Sequence, residues 1–248
     1  MDRIIFTAMN GASQSFAQQS VASHNLANVS TPGFRAQLSA MQSVSVSGDG
    51  LKTRELPLAS TMGSDFKTGP IMSTERTLDV ALKGEGWIAV QQEDGSEAYT
   101  RRGDMQVDQT GQLSIMGRPV LGSNGPITIP VDSQVSIGAS GTISVIEAGQ
   151  RPDTISQVDR IKIVKADIGQ LERQANGLFL PGEDAEVRTL AADEDAGLVS
   201  GALEGSNMSP TEAMVAMIGT QRRYEMQMKV ISSADQNEQA ANKLLSLS

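Results

Sequence analysis

The sequence predicts an α+β protein, a mainly antiparallel β domain inserted between N- and C-terminal helices that pair as a coiled coil. Heptad-like stripes sit at opposite ends of the 248-residue chain, and a long, Gly-punctuated stretch of alternating sequence lies between them. Neither stripe has a helical partner in its own neighbourhood. The simplest way to cover both is to bring the two ends together. The divisions that follow are residues 1–35 (helix and a Thr-Pro-Gly-Phe turn), 36–74 (extended linker), 75–190 (β-rich domain), 191–208 (return linker) and 209–248 (C-terminal helix).

The first helix is expected over residues 3–28, where Ile5, Met9, Ala12, Phe16, Gln19, Ser23 and Leu26 recur at alternating spacings of four and three. Ala8, Ser15 and Ala22 flank this stripe, and a narrow seam of that kind suits another helix better than a globular core. Gly11 inside it costs roughly 0.5–1 kcal/mol relative to Ala, so the helix alone is marginal in water. It runs from Asn25 and Asn28 straight into Thr31-Pro32-Gly33-Phe34. Asn28 tolerates the left-handed conformation that ends helices. Pro32 fixes φ, lacks an N–H and biases Thr31 toward extended geometry. Gly33 supplies a φ closed to other residues, and Phe34 anchors the redirected chain by burying its ring, worth roughly 1.5–3 kcal/mol.

The second helix has a clear start. Ser209 is the N-cap, Pro210 takes the first helical position and Glu212 completes a capping box. Met217, Tyr224, Ile231 and Leu245 lie on a seven-residue repeat that Glu238 interrupts, with Met214 and Met228 flanking and Ala234 and Ala241 keeping the stripe narrow. About 35 residues of helix would be about 50 Å long at 1.5 Å per residue, a length suited to a bundle or filament.

Between the ends the period falls to two. Leu78–Leu82, Trp87–Val90, Met105–Val107, Gln112–Ile115, Ile127–Ile129, Val135–Ile137, Thr142–Val145 and Ile161–Val164 are short alternating or apolar runs. Asp94-Gly95, Thr110-Gly111, Met116-Gly117, Asn124-Gly125 and Ser140-Gly141 separate them as turns. With aromatics at 3%, the core must be aliphatic, and Trp87 is its main aromatic. Residues 36–70, rich in Ser, Gly and Thr, have little core of their own.

Charge is unevenly placed. Residues 1–35 carry a net +1 and residues 209–248 a net 0, which leaves −10 for the middle of a chain whose formal charge is −9. Neutral ends suit contact with protein and an acidic centre suits water. The acidic balance argues against nucleic acid, which needs clustered Lys and Arg. No apolar run approaches the ~18 residues of a membrane span, and the start lacks the basic-then-apolar pattern of a cleaved signal.

No catalytic, cofactor-binding or metal-ligating residue is expected. Without cysteine there are no disulfides, thiolate sites or Cys nucleophiles. His24, the one histidine, reads as a helix-surface residue. Gly84-Glu85-Gly86 lacks the third glycine and precedes a strand, so no nucleotide fingerprint is read there. Asp193-Glu194-Asp195 reads as solvated linker, Arg222-Arg223 as helix-surface pairing, and the Met residues of the last helix as adaptable packing. No Ser-His-Asp set is visible.

Several stretches also resemble a known family. Asn25-Leu-Ala-Asn28-Val-Ser-Thr31-Pro-Gly-Phe34 is similar to the N-terminal signature of bacterial flagellar axial proteins, the rod and hook group. Leu78-Asp-Val-Ala-Leu82-x-Gly84-x-Gly86-Trp87 and Tyr99-Thr-Arg101-x-Gly103 resemble its central β domain. Gly201-x-Leu203-Glu204-x-Ser206-Asn207 and Arg223-Tyr-Glu-Met-Gln227-x-Lys229 resemble its C-terminal signature. The opening Met1-Asp2-x-x-Ile5-x-Thr7-Ala8-Met9-x-Gly11-Ala12 narrows the resemblance to proximal rod subunits. Phe34 and Arg35 stand where relatives often carry Tyr and Lys.

The resemblance implies a structural subunit of the flagellar basal-body rod, without enzymatic activity or cofactor. It implies export by the flagellar type III apparatus without a cleaved signal, and polymerisation through the terminal helices into a periplasm-spanning drive shaft that encloses the export channel. The implied partners are copies of itself, proximal and distal rod proteins and the export apparatus, with no nucleic acid or small-molecule substrate. A reading from another class is a soluble periplasmic β module that binds or cleaves cell-wall glycan and uses its helices only to dimerise. That reading needs a carboxylate pair, for which the acidic middle offers candidates.

Overall fold

The computed structural model describes residues 2–45, 55–147, 149, 154–167, 169–182 and 189–245. The chain divides into two compact units. A helix unit takes residues 1–28, 37–63 and 208–248, and a β unit takes residues 29–36 and 64–207.

In the helix unit, α1 (Asp2–Ala27) packs against α2 (Pro210–Leu245). Gly11 faces Gln227, and Arg223 donates to Gln18 at 2.9 Å, so the two helices run antiparallel. The seam on α1 is Ile5, Ala8, Ala12, Ser15, Gln19, Ala22 and Leu26, which keeps the alternating spacing but shifts every second position by one residue. Ala8, Ala12, Ser15 and Ala22 are buried, whereas Met9 and Phe16 face outward at 53% and 66% exposure. On α2 the buried face is Ala213, Thr220 and Ala234, with Met217, Gln227, Ile231 and Ala241 half-buried. The physical reason is room. Small residues let two helices pack closely, and beside Gly11 the Gln227 side chain already fills the space, 2.9 Å from a built Cβ.

The stretch read as an extended linker contains two long strands, β1 (Gln37–Ser45) and β2 (Glu55–Ser64), which pair as a two-stranded ribbon. Leu38, Ala40 and Val44 alternate with Ser39, Ser43 and Ser45, a strand period diluted by serine. Among the described side chains of the ribbon, Leu38, Val44 and Leu58 are exposed.

The β unit is antiparallel throughout its named pairings. Its largest sheet has five strands in the order Ile163–Val164, Trp87–Gln91, Glu97–Thr100, Phe179–Pro181, Leu171–Arg173. Three-stranded sheets form from Gln134–Ile137, Thr142–Ile146 and Ser156–Arg160, and from Gln106–Val107, Leu113–Ile115 and Arg118–Pro119. The last of these turns on Met116-Gly117, both at positive φ, the two-residue hairpin turn whose twist matches the strands. Val80, Ile88, Leu113, Ile127, Ile143, Ile161 and Leu198 are among the residues of the main aliphatic core. A second cluster gathers Trp87, Tyr99 and Phe179, with Trp87 and Phe179 at 4.5 Å between ring centroids. Strands from beyond residue 190 also join the unit, since Gly197–Ser200 pairs with Val80–Lys83 and Ala202–Glu204 with Ile71–Ser73.

Candidate functional site

Two features of the structure bear on function, one in each unit. In the helix unit, the inside is small and the outside is large. Ala, Ser and Thr hold the fully buried seam positions, with Ile5, Leu26, Met217 and Ile231 only half-buried there, while Ile4, Phe6, Met9 and Phe16 on α1 and Met214, Val215, Ile218, Met226, Met228 and Val230 on α2 are exposed. Phe6 is 67% exposed. A groove of about 570 Å³ on the same helices is lined by Ile4, Met226, Lys229, Val230, Ser233, Ala234 and Asn237. Monomeric proteins rarely leave so many large apolar side chains exposed on two helices, and exposed apolar surface of that extent marks contacts with other molecules. The unit also carries equal numbers of acidic and basic residues, so nothing electrostatic opposes its packing against like surfaces.

Each helix end has a specific stop or start. At α1, the Asn25 amide donates to the Gln37 carbonyl at 3.0 Å and accepts from the Gln37 N–H at 2.9 Å, a two-point clasp between the helix end and β1. Asn28 keeps a negative φ, contrary to the expectation from its tolerance of the left-handed region. It ends the helix through its side chain, which donates to the His24 carbonyl at 2.8 Å. At α2, Pro210 is the first residue, the Ser209 hydroxyl accepts the Glu212 N–H at 3.5 Å, and the Ser209 carbonyl accepts from Ala213 at 3.0 Å.

In the β unit, residues 31–34 form a turn closed by the Phe34 N–H to the Thr31 carbonyl at 3.3 Å. Pro32 and Gly33 occupy its centre, and Gly33 at φ +64° is the glycine that a type II turn requires. Phe34 is buried, and the Arg173 guanidinium lies over its ring at 4.6 Å. The next residue, Arg35, is among the largest fully buried side chains. Its Nη2 donates to Glu204 Oε1 at 2.6 Å. Glu204 Oε2 accepts from Arg101 Nε at 2.9 Å, and Oε1 also accepts from the Gly69 N–H at 2.8 Å. Arg101 Nη1 donates in addition to the Gly84 and Gly86 carbonyls. Burial holds the Arg101 guanidinium below its ordinary pKa, opposed by the Glu204 charge. Segments from three separate parts of the sequence therefore meet on one carboxylate.

Of the residues picked from sequence, Ile5, Ala12, Leu26, Met217 and Ile231 lie buried or half-buried, and Tyr224 is 37% exposed. Met9, Phe16 and Met228 lie on the outer face. The side chain of Leu245 lies outside the described residues. Arg35, Arg101 and Glu204 escape a reading by residue type, because single charged side chains read as surface residues. The signal is position: Arg101 and Glu204 sit inside the family-like stretches at residues 99–103 and 201–207, and Arg35 directly follows the one at residues 25–34.

A helix pair that hides alanine and displays phenylalanine, and a β unit organised by a buried ion triad, suit a structural subunit rather than a catalyst. The chain belongs to the flagellar basal-body rod protein family. Residues 5–35 match the family described as flagella basal body rod protein, residues 81–145 the flagellar hook protein FlgE/F/G D1 domain, and residues 199–244 the flagellar basal body rod FlgEFG protein C-terminal family. The chain is 52% identical to flagellar basal-body rod protein FlgF of Salmonella typhimurium (strain LT2), over 100% of both chains. It is 51% identical to the protein of that name in Escherichia coli (strain K12), again over 100% of both. It is 31% identical to flagellar basal-body rod protein FlgG of Bacillus subtilis (strain 168), over 95% of this chain and 96% of that one.

Proposed function

We propose that this protein is a structural subunit of the proximal flagellar rod, and that it polymerises through the outer face of its helix pair into the shaft that crosses the periplasm and encloses the export channel. The observation that carries the reading is the inversion of size between seam and surface. Burying Ala and Ser releases little free energy, roughly 25 cal/mol per Å² of apolar area, while the exposed Phe, Met, Ile and Val hold most of what the unit can gain. That gain is reached only when neighbouring copies or related rod proteins cover the face. A knob such as Phe16 and a groove at Met226 and Val230 on one molecule make a head-to-tail contact, which builds open helical assemblies. The flagellar type III export apparatus is the delivery partner in this reading. The glycan-acting alternative has no observation in its favour: Asp94 and Asp108 cap turns, and Glu97, Asp104 and Glu204 are ion-paired.

The test is the double substitution Phe6→Ser, Phe16→Ser in cells that depend on this gene for swimming. The purified variant is expected to keep its β-unit unfolding midpoint, since exposed sites usually change stability by less than about 0.5 kcal/mol. Motility in soft agar is expected to fail, and the chain to be missing from isolated basal bodies. Normal swimming with the variant incorporated at wild-type levels would sink the proposal.

A further inference from the structure

The β unit also ties its own two chain exits to each other. Gly33 lies six residues beyond the last residue of α1, and Glu204 six before the first of α2. The Gly33 N–H donates to the Glu204 carbonyl at 2.7 Å, and the Asn207 N–H donates to the Phe34 carbonyl at 3.2 Å. The Ala36 N–H donates to Asn207 Oδ1 at 2.7 Å, and Arg35 Nη2 closes on the Glu204 carboxylate at 2.6 Å. Asn207 Nδ2 then ties the same place to the Asp65 carbonyl at 2.7 Å and the Lys67 carbonyl at 3.1 Å. Residues 33–36 are thus stitched to Glu204 and Asn207, across 169 residues of sequence for the Arg35–Glu204 pair.

This bears on a weakness of the helices. Their seam is small and partly polar, with Ser15, Gln19, Thr220 and Gln227 in it, and an apolar driving force of that size does not bring two distant segments together. A pre-closed exit changes the problem. The encounter of α1 with α2 becomes intramolecular over a short span, at a high effective concentration. We propose that Glu204 and Asn207 are positioning residues for helix pairing: by locking residues 33–36 to residues 204–207, the folded β unit sets the concentration at which α1 meets α2. Folding of the β unit therefore comes first, and pairing of the helices depends on it. This goes beyond the reading as a rod subunit and does not need it.

The chain contains no cysteine, which gives a clean reporter. A Cβ on Gly11 would lie 2.9 Å from the Gln227 side-chain amide carbon, so Gly11→Cys with Gln227→Cys places two thiols within disulfide reach when the helices pair. The rate of intramolecular disulfide formation in the full chain, started by oxidised glutathione, then reads the effective concentration directly. Adding Asn207→Ala, or separately Glu204→Gln, is expected to slow that rate roughly fivefold, following the −3/2-power fall as the open span grows about threefold. Fluorescence of Trp87, the one tryptophan, reports the β unit in the same sample and is expected to stay native in Asn207→Ala, which removes no buried charge. An unchanged rate in Asn207→Ala with native Trp87 fluorescence would overturn the proposal. So would slowing in both variants only in proportion to lost Trp87 signal, because the two residues would then merely stabilise the β unit.

Discussion

Gly33 holds a φ of +64° while donating its N–H to the Glu204 carbonyl, and a Cβ built there would lie 2.4 Å from the Arg101 carbonyl carbon. The sequence supports only the first of these demands, the turn. The second comes from a strand end that passes directly over the residue. Gly33→Val is therefore expected to injure the β unit itself and not only the direction of the chain. Left-handed strain of about 1–2 kcal/mol adds to the displacement of backbone at Arg101, for a loss of at least about 3 kcal/mol. Urea unfolding followed by Trp87 fluorescence measures it, and a wild-type midpoint would contradict the close approach. Tyr99 supplies a pH test. Burial pushes its hydroxyl up to about 12, while the hydroxyl accepts from the Leu190 N–H at 2.8 Å and donates to Glu97 at 3.2 Å. The folded pKa lies above the unfolded one, so the unfolded chain gives up this proton first as pH rises. The contribution is fully present below pH 10 and disappears between pH 10 and about 12. Tyr99→Phe is expected to unfold at a lower temperature at neutral pH, through two lost hydrogen bonds, yet to show a shallower fall in melting temperature between pH 10 and 12. Parallel pH profiles for the two proteins would rule out this role for the hydroxyl.

At the scale of elements, the sequence made legible the local features and one long-range one, the pairing of α1 with α2, and hid the other long-range pairings. The five turn pairs are legible because their glycines adopt the positive φ that local chemistry demands. The start of α2 is legible for the same reason, with Ser209, Pro210 and Glu212 in their expected places. The seam of α1 was legible in period and missed in register. Hydrophobic size favours Met9 and Phe16 as the buried residues, but close packing of antiparallel helices selects Ala8, Ser15 and Ala22. Size patterning alone cannot tell a helix that faces a partner with its large side from one that turns that side to further neighbours. The ribbon of β1 and β2 was hidden by serine, which breaks the apolar alternation without breaking the strand. The pairing of Ile71–Ser73 with Ala202–Glu204 was hidden by separation, since nothing near residue 72 announces a partner from the far end of the chain. The candidate site divides the same way. The turn at Thr31 to Phe34 stands out in the sequence, whereas the carboxylate that receives Arg35 comes from 169 residues further along the chain.

On the scale of the whole molecule, charge and apolar surface are sorted between the two units. The helix unit is neutral, so the β unit carries the full −9. One is made to be covered and the other to stay in water, and their stabilities should respond to different variables. The helix unit buries mainly Ala and Ser and has little to gain in a dilute monomer. The β unit has a continuous aliphatic core of Val, Ile and Leu and an aromatic cluster around Trp87, and it opposes a net negative self-repulsion. Heating the dilute full-length chain is therefore expected to give two transitions. Ellipticity at 222 nm falls first and gradually as the helices separate, and its midpoint rises with protein concentration because association covers the outer face. Trp87 fluorescence changes later and sharply. Raising NaCl from about 0.05 to about 0.5 M shortens the Debye length from over 10 Å to under 5 Å, so it should raise the second midpoint by relieving repulsion and leave the first nearly unmoved. One transition seen identically by both probes, at every concentration and salt, would mean that helices and β unit melt as a single cooperative body. The sorting of surface between them would then carry no thermodynamic consequence.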